Sequence, residues 1–213
     1  MANSKLRIAA TVAAFGAAAL LSTSAFAYCL NGVRWYPGSP DSENVYYNSA
    51  KKVTSGQCIS SATMDNEVIG SITVWKVLNY AGTTTKVPNH KDGTNVVGWA
   101  KLGGTTLGIT NYLNYDKFRT KTASCSGSTL WSELYEADVR LTTVYRWYDG
   151  AVACPCTAGS AYDLGGVAEH EFGHVIGLCH EDGLNTLMNT SVAACEHQAK
   201  GSDEIAGENA ICY

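Results

Sequence analysis

Three of the chain's five histidines, His170, His174 and His180, fall within eleven residues, with Glu171 beside the first and Gly177 three places before the last. Residues four apart on a helix lie one above the other, so His170 and His174 present their imidazoles on one face. Two nitrogens held about 2 Å from a common point suit zinc. Gly177 has no side chain to oppose a left-handed conformation, so it can end the helix and turn the chain back. That turn lets His180 supply a third nitrogen from outside the helix. Three protein ligands leave the fourth tetrahedral position to water, which is the arrangement of a catalytic rather than a structural zinc.

Glu171 is rotated by about 100° from His170 around the helix and is not expected to be a ligand. Its carboxylate can instead take a proton from that water as it attacks a carbonyl, and later deliver the proton to the leaving amine. The chemistry implied is amide hydrolysis by a single zinc. A bare H-E-x-x-H arises by chance in roughly one chain in two hundred of this composition; the added Gly and third His lower that to about one in a hundred thousand. Polar decoration of an ordinary helix is therefore a poor account of the spacing.

The elements that must hold these residues can be read coarsely. Asp163 can cap the site helix, which runs through Leu164, Val167, His170 and His174 to Gly177. An earlier helix is expected across "SSATMDNEVIGSITVWKVLNYAG", capped by Ser60 or Ser61 and ended by Gly82, with Val68, Ile72, Trp75 and Leu78 as its apolar stripe. A third begins around Ser202. Between them, "NVYYNSA", "TNVVGWA", "TTLGITNYLNY" and "LYEADVRLTTVYRWY" have the β-branched and aromatic content of strands separated by turn residues. Strands in the middle with helices on both sides in sequence predict an α+β layer arrangement.

Residues 1–27 read as a secretory signal peptide: Lys5 and Arg7, an apolar run from Ile8 to Leu21, and small residues at Ala25 and Ala27. Residues 28–213 then form one domain, expected to be exported and monomeric. Its formal charge moves from −4 to −6 once Lys5 and Arg7 are lost, which argues against nucleic acid or an anionic membrane as partner. All eight cysteines lie in this part, and an even number in an exported chain reads first as disulfides. Cys29 and Cys179 could alternatively offer a thiolate to the metal and hold the enzyme latent. Cys154 and Cys156 are too close to bridge each other without strain.

These residues resemble the metzincin signature H-E-x-x-H-x-x-G-x-x-H, with Met188 in "NTLMN" as the methionine that packs beneath the metal in that clan. Within the clan the chain is most similar to the matrixins. "ELYEADVRL" resembles their E-A-D-I strand, "YDLGGVAEHEFGH" their approach to the site helix, and "SDEIAGENAICY" their closing helix. The resemblance implies a twisted, mostly parallel mixed sheet with three helices, a horizontal cleft, and protein or peptide substrates. The latency segment of many matrixins is not expected here. Glu181 after His180 follows the astacins, but Thr190 stands where astacins keep a metal-site tyrosine. A second, structural zinc would need more histidines than His90 and His197, so one zinc is expected. Asp92, Asp138 and Asp182 are the carboxylates on which a calcium ion could sit. The rival readings are an astacin-like peptidase, a peptidase acting on cell-wall peptides, and a secreted binding module that keeps zinc only for structure.

Overall fold

The computed structural model describes residues 30–35, 43–115, 119–120, 130–150, 161–182 and 186–211. The expected leader at residues 1–27 lies outside them, as do Cys29, Cys125, Cys154, Cys156 and Cys212. Twelve elements follow in order: β1 (Val33–Trp35), β2 (Glu43–Tyr47), α1 (Ser61–Thr73), β3 (Leu78–Thr83), β4 (Asn95–Ala100), β5 (Gly108–Tyr115), β6 (Arg119–Thr120), β7 (Leu130–Thr142), β8 (Arg146–Tyr148), β9 (Ala161–Asp163), α2 (Leu164–Ile176) and α3 (Ser202–Ala210).

The long strand β7 organises the sheet. It pairs in parallel with β4 and β1, β4 continues in parallel to β2 and β2 to β3, and β5 runs antiparallel along β7. The result is the mostly parallel mixed sheet with three helices that the resemblance implies. Side chains alternate between the faces of a strand. On β7, Ala137, Val139 and Leu141 turn into the core, and Glu136, Asp138 and Arg140 occupy the other face. The core between sheet and helices is built from Met64, Val68 and Ile72 of α1, Phe172, Val175 and Ile176 of α2, and the buried rings of Trp75 and Trp147.

The first helix is shorter than its sequence suggests. Ser60 caps it, accepting from Thr63 N at 3.1 Å, but the helix ends at Thr73 and Leu78–Thr83 form β3 rather than two more turns. The apolar stripe misleads because Trp75 and Leu78 are buried in either conformation. Parallel pairing of Leu78, Asn79 and Tyr80 with Glu43, Asn44 and Val45 outweighs a weak helical preference. The stretch expected as one strand over 134–148 is also divided, with residues 143–145 separating β7 from β8.

The site helix α2 carries Gly165, Gly166 and Gly173, which cost helical stability in isolation. Packing explains two of them. A Cβ on Gly166 would come within 2.8 Å of Gln198 O, and one on Gly173 would collide with the Met188 sulfur. Asp163 occupies the N-cap position but makes no side-chain bond to the helix. Its buried carboxylate is satisfied from flanking loops instead, by Gly150 N at 3.1 Å and His197 Nδ1 at 2.5 Å.

Candidate functional site

Gly177 closes α2 in the left-handed conformation, with φ 108°. Gly177 N donates to His174 O and Leu178 N to Gly173 O, both at 2.9 Å, which is the pair of bonds of a Schellman motif. The chain reverses there. Leu178 is held by a bridge to Leu30, and two residues later His180 returns toward the helix face that bears His170 and His174.

The three rings converge. His174 Nε2 lies 3.1 Å from His170 Nε2 and 3.1 Å from His180 Nε2, and one ligand atom from each ring falls within 4.8 Å of the others. The opposite nitrogens fix what these contacts are. His170 Nδ1 sits 2.7 Å from Leu187 O and His174 Nδ1 sits 2.8 Å from Leu178 O. A carbonyl oxygen can only accept, so each Nδ1 carries the proton and donates it. In the neutral rings, Nε2 is then a bare lone pair. Burial, together with mutual repulsion, pushes His170 down to about 3 and His174 down to about 4, so both are neutral at pH 7.

Two lone pairs 3.1 Å apart with no proton between them repel each other, and a cation placed between them removes the repulsion. Three nitrogens bound at 2.0–2.1 Å around a tetrahedral zinc lie roughly 3.3 Å apart. The donor set, tautomers and spacing all fit zinc. Among the described residues no other group of three His, Cys, Asp or Glu side chains gathers around a common point.

Met188 is 2% exposed, with its sulfur against Gly173 of α2. Met188 O accepts from Glu181 N at 2.8 Å, and Met188 N donates to Glu204 Oε1 at 3.3 Å. Glu204 is buried at the start of α3, and its second oxygen accepts from Gly201 N at 2.8 Å. The third helix therefore holds the turn that carries Met188. Glu204 is a residue that sequence reading overlooks, although an acid in the first turn of a helix is a recognisable signal.

The Glu171 side chain lies against β5, beside Gly108 and Thr110. It is 5% exposed, burial pushes its carboxyl up to about 7, and Thr110 Oγ1 donates to Oε2 at 2.7 Å, pulling the other way. Two cavities of about 350 and 360 Å³ open on either side of it. Both are lined by Gly108, Glu171 and His180; His170, Val167 and residues 189–192 are among those that line the first, and Asn31, Tyr112 and His174 among those that line the second. Together they form a cleft along β5, whose only strand partners among the described residues belong to β7. Tyr112 ties this strand to the site helix by donating to His174 O at 2.6 Å. Nothing in the local sequence marks Gly108, Thr110 or Tyr112, because their role arises from pairing with β7 and packing on α2.

The carboxylates considered for calcium are engaged otherwise. Asp138 Oδ1 accepts from Val96 N at 2.7 Å and Oδ2 from Asn89 N at 2.5 Å. Asp92 pairs with Lys86 at 3.3 Å, and Asp182 accepts from Thr190 N at 3.0 Å. They do not converge. No cysteine among the described residues is free, Cys179 beside the trio included.

A family model described as Matrixin matches residues 49–208, well over half of the chain. Among curated proteins none matches it.

Proposed function

This chain belongs to the matrixin family of zinc metallopeptidases, and on that premise we propose that it is an exported endopeptidase in which Glu171 activates the attacking water. The observation that carries the reading is the set of three facing Nε2 atoms, two of them fixed as lone pairs by their Nδ1 bonds, beside a buried carboxylate at the wall of an open cleft. His170, His174 and His180 would hold zinc through Nε2. When bound, zinc supplies a Lewis acid that lowers the pKa of water toward about 7 and polarises a carbonyl oxygen.

The chain's own residues do the rest. Glu171, raised to about 7 by burial, is poised to take a proton from water and to return it to the leaving amine at neutral pH. Leu187 O and Leu178 O keep the two helical imidazoles in the tautomer that leaves Nε2 bare. Met188 and Glu204 stiffen the floor. The strand β5 offers an extended peptide an edge to pair with, and the two cavities take side chains on either side of the scissile bond.

Export is supported by the leader-like pattern at residues 1–27, and disulfides by the absence of a free cysteine among the described residues. No described helix is long and apolar enough to cross a membrane. A binding module with a closed structural zinc would need a fourth protein ligand, and no fourth His, Cys, Asp or Glu joins the trio among the described residues. The experiment is casein or peptide-library cleavage by the parent and by Glu171→Ala, with zinc quantified in both. The proposal requires that the variant keep its zinc and lose hydrolysis; a variant that cleaves like the parent overturns it. Tight binding of a small hydroxamate to the parent would disfavour the closed-site reading.

A further inference from the structure

Gly108 and Thr110, two residues apart on β5, face the same side of their strand, and that side meets the Glu171 side chain. The contact is close at both positions. A Cβ added at Gly108 would stand 2.6 Å from Glu171 Cγ and 2.6 Å from Oε1, so only a glycine leaves room for the carboxylate to lie across the strand there. Two residues on, Thr110 Oγ1 is 2.7 Å from Glu171 Oε2 and 2.9 Å from Glu171 O. The single hydroxyl proton is shared between the main-chain and side-chain oxygens of the same residue, with the shorter contact to Oε2.

We infer that the Gly108–Thr110 pair is a cradle that orients the general base, anchoring Oε2 and turning Oε1 toward the cleft as the oxygen that exchanges the proton. Thr110 acts through Glu171 and is a positioning residue. The physical reason is conformational. A glutamate side chain has three rotatable bonds and a carboxylate with two equivalent oxygens, so burial alone does not decide which oxygen faces the water. The hydroxyl decides it, because a donor fixed on a paired strand holds Oε2 in one direction. Gly108 sets the depth. Both cavities are lined by Gly108 and Glu171, so the oxygen beside Gly108 lies where the two halves of the cleft meet. Tyr112, the next residue on the same face, bonds to His174 O, so strand and helix keep their spacing without Thr110.

The inference rests on Glu171 as the base, and the test keeps the two apart. Thr110→Val retains the branched shape and removes the proton, Thr110→Ser retains the proton, and Glu171→Gln removes the base. Each holoenzyme is assayed for zinc content, kcat and KM on one peptide substrate. Misplacing a reacting group by about 1 Å costs on the order of a hundredfold. The expected result is that Thr110→Val loses about tenfold to about a hundredfold in kcat, with KM and zinc content unchanged, and that Thr110→Ser restores most of the loss. A Thr110→Val enzyme with parental kcat, or one that instead loses zinc or raises KM alone, overturns the cradle even if Glu171→Gln is inactive. A Glu171→Gln enzyme as active as the parent would sink the base itself, and the cradle with it. Gly108→Ala gives a second reading at the other contact, with kcat expected to fall at full zinc occupancy; parental kcat there counts against the cradle.

Discussion

The two α2 histidines, His170 and His174, and the carboxylates of β7 are both sets of titratable side chains turned inward, and they are hydrogen-bonded in opposite ways. In the cluster, the donors point outward to Leu187 O and Leu178 O, and the bare acceptors face one another. On the far face of β7, the acceptors point outward to main-chain donors: Glu136 Oε1 accepts from Asp92 N at 2.9 Å, and Asp138 from Asn89, His90 and Val96. Convergent acceptors without protons need a cation. The β7 carboxylates instead hold N–H groups of residues 89–92 and of Val96 at the start of β4, with Glu136 Oε2 buried and without a hydrogen-bond partner. Asp138 therefore acts as a clasp on residues 89, 90 and 96.

The largest effect should come from breaking the convergence. His174→Ala removes the central nitrogen, and zinc content and peptide hydrolysis should both fall to background. Asp138→Ala should leave both intact at 25 °C; if it removes zinc, the two regions are not separate. Next comes Glu171→Ala, for which loss of the general base should cost between about a hundredfold and about ten-thousandfold in kcat at full zinc occupancy.

The clasp should show itself in stability. Asp138→Ala strands Val96 N, which is buried, and frees two loop donors to water. A stranded buried donor costs about 1–3 kcal/mol. A cost of about 2 kcal/mol corresponds to a fall in Tm of roughly 4–8 °C for a domain of this size. Calorimetry of zinc-loaded protein checks it, and an unchanged Tm would mean that the loop does not depend on the carboxylate.

The two regions also differ in pH dependence, where their contributions have opposite signs. In metal-free protein, His170 and His174 are lowered from 6.5 to about 3 and about 4, so they remain neutral in the fold where the unfolded chain takes up protons. Their contribution is fully present above about 6.5 and is lost as pH falls through 4 to 3. Asp138 is raised from 3.8 to about 6 by burial, against the pull of its backbone donors. Its contribution is fully present below 3.8 and is lost as pH rises through 6. Chelated protein in which His170 and His174 are both replaced by Ala should lose the first slope, and Asp138→Asn the second, as read by chemical denaturation at a series of pH values. Slopes that survive these changes would assign the titration to other groups.

How much of this could be read from the sequence depended on distance along the chain. The metal trio was legible because its geometry is local: a four-residue helical step, a left-handed glycine and a three-residue return. Met188 is singled out by resemblance alone, and the closing helix was visible, although its use of Glu204 to hold Met188 N was not drawn from it. Thr110, Gly108 and Tyr112 were invisible, since each meets α2 only after β5 has paired with β7 more than twenty residues later. The helix expected to reach Gly82 failed for the same reason. Residues 78–83 are set by pairing with β2, which a local apolar stripe does not report.

Three Nε2 lone pairs sharing one zinc ion is the feature on which the proposed activity depends. X-ray absorption at the zinc edge on purified, active protein, together with elemental analysis, tests it most directly. One zinc per chain is expected, with a nitrogen and oxygen shell at about 2.0–2.1 Å and no sulfur. Active protein free of zinc, or a shell containing sulfur at about 2.3 Å, would contradict it.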